Sequence, residues 1–107
     1  MHQRLSSNEQ AALRATWLPR PAPSGFAAVA DVAKVPLEIE AGLQNYRRYL
    51  GAAIPKAFAV SPDGKAWAWN AGTFDAMRLA LARCAERAGE TCRLYAVDED
   101  VVWPTSP

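Results

Sequence analysis

Histidine is almost missing from this chain: His2 stands alone among 107 residues. Imidazole-based nucleophile pairs, and zinc sites that need four ligands, are therefore disfavoured. Cysteine is nearly as scarce, with Cys84 and Cys92 the only two. No apolar run reaches the roughly 18 residues needed to span a bilayer. An excess of one charge is lacking too. Twelve basic and eleven acidic side chains leave a net charge of +1, without the basic stripe that would follow a phosphate backbone. No glycine-rich phosphate loop, dinucleotide fingerprint or G-x-S-x-G elbow occurs. The expectation is thus no catalytic residue, no metal, no cofactor, no transmembrane segment and no nucleic-acid partner.

What is present suits one small domain. Half of the residues are apolar, enough for a modest core. Residues 7–18 read as a short helix capped by Ser7, and "PRPAPSG" after it reads as a stiff linker. The division expected is residues 1–25 as N-terminal helix and linker, and residues 26–107 as a single α+β domain. The opening "MHQRLSSNEQ" has no apolar h-region of a secretory signal, which fits a cytoplasmic protein or a mature form.

Within the domain, "FAAVADV" suits a strand or a helix, and the strand reading is preferred. Pro36 opens a helix to Leu50, with Ile39, Leu43, Tyr46 and Leu50 as its apolar stripe. "SPDG", from Ser61 to Gly64, is a type I turn with a glycine bulge between two alternating strands. The expected register sets Phe58 opposite Ala68 and Ala59 opposite Trp67. Thr73 caps a second helix that ends before Gly89, with Phe74, Met77, Leu81, Cys84 and Ala88 on one side. "CRLYAV" then forms a strand with Cys92, Leu94 and Ala96 on one face. The order strand, helix, strand, strand, helix, strand predicts a small antiparallel sheet with helices on one face, in a ferredoxin-like βαββαβ arrangement.

Three groups are candidates for function. Trp67 and Trp69 share a strand face and offer an aromatic platform for a ligand or partner if open, or a core layer if a helix covers them. Arg47 and Arg48 are weak anion candidates on a helix side that otherwise reads as solvated. Asp98, Glu99 and Asp100 supply carboxylates for a hydrolase, or form a plain solvated turn.

Cys84 falls on a helix face and Cys92 on the strand face behind it, so one tight reversal brings them together. A disulfide is the favoured reading, beside reduced core thiols and redox or metal roles. From Phe26 to Trp103 the chain resembles an uncharacterised family of small domains in bacterial exported or envelope proteins. The matching stretches are "YRRYL", "PKAFAVSPDG", "ALARCAERAGETC" and "CRLYAVDEDVVW". That resemblance implies a periplasmic or extracellular location and an oxidised cysteine pair, and implies no activity. The expected function is a small non-enzymatic binding or interaction module, monomeric or weakly dimeric, taking an unidentified protein or small ligand. A carboxylate-dependent hydrolase and a self-associating structural protein are the alternatives.

Overall fold

The structure, a computed structural model, describes residues 18–105. His2 and the helix expected over residues 7–18 fall outside them, apart from Leu18, which carries no regular structure. The elements are α1 (Glu40–Leu50), β1 (Lys56–Val60), β2 (Trp67–Ala71), α2 (Ala76–Ala88), β3 (Arg93–Val97) and β4 (Asp100–Val101), with a 3-10 turn at Val32–Lys34. The strands form one antiparallel sheet in the order β2-β1-β3-β4. This is the expected α+β class with helices packed on a sheet. Among the described residues no helix is long and apolar enough to cross a membrane.

The strand expected at residues 26–32 does not form, so the order is not the ferredoxin-like one. Phe26, Val29 and Val32 instead press side-chain-first on the core, with the Phe26 ring edge-on to Tyr95 at 6.2 Å. The Tyr46 hydroxyl donates to the Val29 carbonyl, replacing a ladder bond with a side-chain bond. The place beside β3 is taken by β4, which returns after a tight turn at Asp98 and Glu99.

The helices cover opposite faces of the sheet rather than one. Successive side chains of a strand alternate faces, and β1 alternates in size. Phe58 and Val60 join Tyr46 and Tyr49 of α1 in an aromatic core. Ala57 and Ala59 face Ala76, Ala80 and Cys84 of α2 in a second core of small side chains. Small residues let α2 sit close; large ones fill the space under α1.

The hairpin register differs by one residue from the expected one: Phe58 pairs with Trp69, Val60 with Trp67 and Ala59 with Ala68. The turn itself is as read, with Gly64 at φ 73° and its amide donating to the Ser61 carbonyl. Lys65 adds one more loop residue. The Ser61 amide donates to the Ala66 carbonyl at 2.9 Å, and the Ser61 hydroxyl accepts from the Ala66 amide at 3.0 Å. That closing pair shifts every later partner by one, which moves both tryptophans to the α1 side.

Helix α1 starts at Glu40, not Pro36. The Glu38 amide bonds to the Gly64 carbonyl, holding residues 36–38 against the hairpin turn, where a Cβ on Gly64 would lie 2.7 Å from the Pro36 carbonyl. The buried stripe is consequently Gly42, Tyr46 and Tyr49, while Ile39 is 40% exposed. Helix α2 starts at Ala76 with Asp75 as N-cap; Thr73 instead accepts weakly from the Asp75 amide at 3.4 Å. Phe74 is 69% exposed rather than on the buried side. Gly89 ends α2 in the left-handed conformation, as expected. In β3 a bulge at Tyr95 breaks the alternation. Ala96 therefore joins Tyr95 on the α1 side, and Val97 joins Cys92 on the α2 side.

All three tyrosines of the chain lie fully buried in the aromatic core. Burial raises the pKa of Tyr46 and Tyr49 and pushes Tyr95 up to about 12, with nearby Asp31 adding to the last. A free tyrosine titrates near 10. The neutral Tyr95 phenol thus contributes stability that is fully present below pH ~10 and is lost as the pH rises through about 12. The more strongly raised Tyr46 and Tyr49 lose theirs at still higher pH. Ultraviolet titration should show no phenolate near pH ~10 and a steep appearance at higher pH, together with unfolding. Gradual ionisation centred near pH ~10 would mean that the rings are open to water.

Candidate functional site

Asp98 opens the β3–β4 turn at φ 53°, a left-handed conformation that aspartate tolerates better than most residues. The turn is held on several sides. The Asp98 amide donates to the Lys56 carbonyl at 2.8 Å, and its Oδ1 accepts the Lys56 amide at 2.9 Å. The Tyr49 hydroxyl donates to the Asp98 carbonyl at 3.1 Å. Arg20, in the proline-rich arm, donates through Nη1 to Asp98 Oδ2 and through Nη2 to Asp100 Oδ2 at 2.9 Å. Hydrogen bonding to the two carboxylates raises the guanidinium pKa further above its usual value. The Ser24 amide adds a bond to the Val101 carbonyl at 2.9 Å. Two acids of the turn therefore clasp residues 20–24, while Glu99 stays exposed, and Asp98 and Asp100 share one cation instead of lying apart as acid and base.

Lys56 is the other unexpected residue, buried with 2% exposure. Its Nζ donates to the Tyr49 and Leu50 carbonyls at 2.9 and 3.1 Å and sits 4.7 Å from the Tyr49 ring centre. Those carbonyls end α1: the Tyr49 carbonyl also accepts the Ala52 amide at 3.0 Å, so the ammonium adds a second donor there, supplies one to the Leu50 carbonyl, and sits at the negative end of the helix dipole.

Between the arm, the clasp and the head of α2 lies a cleft of about 270 Å³. Pro55, Met77 and Val97 give it apolar walls, and Arg20, Arg78, Asp75 and Asp98 give it charged ones. Arg78 pairs with Asp75 one helical turn away, through Nε at 3.1 Å and through Nη2, which raises its pKa. The Asp75-x-x-Arg78 spacing was visible in the sequence as an i,i+3 pair. Arg20 carried no local signal, because its partners lie 78 and 80 residues away.

The other sequence candidates lie apart from this cleft. Trp67 and Trp69 are half-buried beneath α1. A Cβ on Gly42 would stand 3.0 Å from Trp67, and Trp69 donates from Nε1 to Asn45 at 3.2 Å. The rings thus pack against the α1-side core and keep part of their surface exposed. Arg47 and Arg48 are exposed on α1, Arg47 reaching Glu40 at 3.4 Å. Cys84 and Cys92 form a disulfide with Cα atoms 6.0 Å apart, joining α2 to the residue just before β3. Among the described residues no group of three or more His, Cys, Asp or Glu side chains is placed to hold a metal ion. No family model matches the chain, and no curated protein or solved structure matches it.

Proposed function

We propose that the chain is a small disulfide-stabilised binding module of the bacterial cell envelope, acting without catalysis and receiving its ligand in the cleft at the head of α2. The observation that carries this reading is the cleft itself, where apolar walls meet paired but half-exposed charges. Ligand sites combine an apolar lining with a few oriented polar groups in this way. The carboxylates that a hydrolase would need hold the arm and the α2 head, which favours binding over hydrolysis. The buried disulfide fits an oxidising compartment.

Amide NMR of the full chain, titrated with the small-molecule fraction of an envelope extract, tests this. Shifts confined to residues such as Met77, Arg78, Val97 and Asp98 are expected. Shifts centred on Trp67 and Trp69, or none at all, would sink the cleft as the binding place. Thiol trapping in intact cells that finds the cysteines reduced would remove the envelope part.

A further inference from the structure

We infer that the outer edge of β2 binds an extended peptide segment in which apolar side chains alternate with carboxylates. The edge is open because of ladder parity. The Ser61 amide donates to the Ala66 carbonyl at 2.9 Å, and the Gly72 amide to the Pro55 carbonyl at 2.8 Å. The register between these bonds is unbroken, and bonding alternates along an antiparallel strand. Ala68 and Asn70 therefore turn their peptide groups to β1, while Trp67, Trp69 and Ala71 turn theirs away from the sheet. Arg87, whose Nη1 donates to the Trp67 carbonyl at 3.0 Å, reaches over that outward row. Proteins commonly guard such an edge with charged residues, proline, a bulge or a very short strand. At the other edge of the sheet β4 has only two residues, and Ser24 of the arm bonds it at Val101. β2 has five residues, Trp-Ala-Trp-Asn-Ala, without a charge or a proline.

What lies on either side of the edge selects the occupant. Trp67 and Trp69 stand half-buried on the α1 side, so a strand added outside them would set every second side chain beside an indole. The intervening side chains would point to the α2 side. There Arg83 and Arg87 stand one helical turn apart, on the flank of α2 from which Arg87 reaches the edge, and both are exposed. Among the described residues neither forms an ion pair, unlike Arg20, Arg47 and Arg78. Glu86, the single acid of α2, pairs with neither. Two uncompensated cations beside an uncharged strand favour carboxylates at these alternate positions. A second copy of the chain is the poorer occupant, since its β2 brings no acid and its α2 brings the same two arginines. Strand addition of this kind takes its affinity from main-chain bonds and its selectivity from alternate side chains.

Three end-blocked heptapeptides, alternating valine with glutamate, glutamine or lysine, test this on the full chain by amide NMR. The glutamate peptide should slow hydrogen exchange at the Trp69 and Ala71 amides. It should bind at least about tenfold tighter than the lysine peptide, with the difference shrinking in high salt. Arg83→Gln combined with Arg87→Gln should erase that ranking and leave the unfolding midpoint unchanged. If this variant folds poorly, the three-peptide comparison on the unaltered chain still decides. Equal binding of the glutamate and lysine peptides, or no binding by ~1 mM, overturns the inference. Shifts confined to Met77 and Val97 would move the peptide to the cleft and overturn it as well. So would protection of the Trp69 and Ala71 amides that rises with chain concentration alone, which would make a second copy the occupant.

Discussion

Replacing Phe58 with alanine should lower the unfolding free energy by about 3–5 kcal/mol, the usual loss for a large aromatic removed from a core. Phe58 has no exposed surface and stands edge-on to Tyr46 at 5.1 Å and to Tyr49 at 5.6 Å. Its strand partner is Trp69. No neighbour can easily fill the hole, because Tyr46 is tied through its hydroxyl to Val29 and Tyr49 to Asp98. Against a total of roughly 5–15 kcal/mol for a natural domain, this variant sits near the edge of folding. Denaturant titration gives the answer directly. A loss below about 1 kcal/mol, outside the range for such truncations, would mean that the aromatic core is not assembled around this ring.

The second large effect is expected from the disulfide. Cross-linking across a short loop restricts the unfolded chain, and for this loop length the entropic model gives about 2–3 kcal/mol. Both cysteines are buried among Ala57, Ala59, Ala80 and Val97. Alanine at both positions is therefore the fair comparison, since serine would bury two hydroxyl groups. The Cys84→Ala/Cys92→Ala chain should unfold at clearly lower denaturant concentration than the oxidised parent, and the reduced parent should follow the double variant. An unchanged midpoint for both would show that the sulfur–sulfur bond merely decorates a helix–strand contact that holds by itself.

Where local chemistry decided the outcome, the sequence was readable. "SPDG" made its turn because Gly64 supplies the positive φ, and Gly89 ended α2 for the same reason. The cysteines met because a helix face and a strand face lay on either side of one reversal. Long-range competition was not readable. The strand expected at residues 26–32 lost its place to the two residues of β4, which need only a tight turn to reach β3. Lys65 shifted the hairpin register, although nothing in its type says whether it belongs to loop or strand. The opposite placement of the helices had one visible hint, the alternation of Phe58 and Val60 with Ala57 and Ala59. Both kinds of residue are apolar, so polarity gave no direction. The cleft was half legible: Asp75 and Arg78 are near neighbours, whereas Arg20 meets Asp98 and Asp100 only through tertiary structure.

The two sides of β1 also differ in the substitutions they should accept over time. Beneath α1, where rings interlock, harm comes from hollowing, so drift should be confined to exchanges of similar bulk. Toward α2, where alanines meet alanines, harm comes from crowding: one added methyl group pushes the helix off its seat, while glycine would cost comparatively little packing. A single strand thus obeys a lower size limit on one side and an upper size limit on the other.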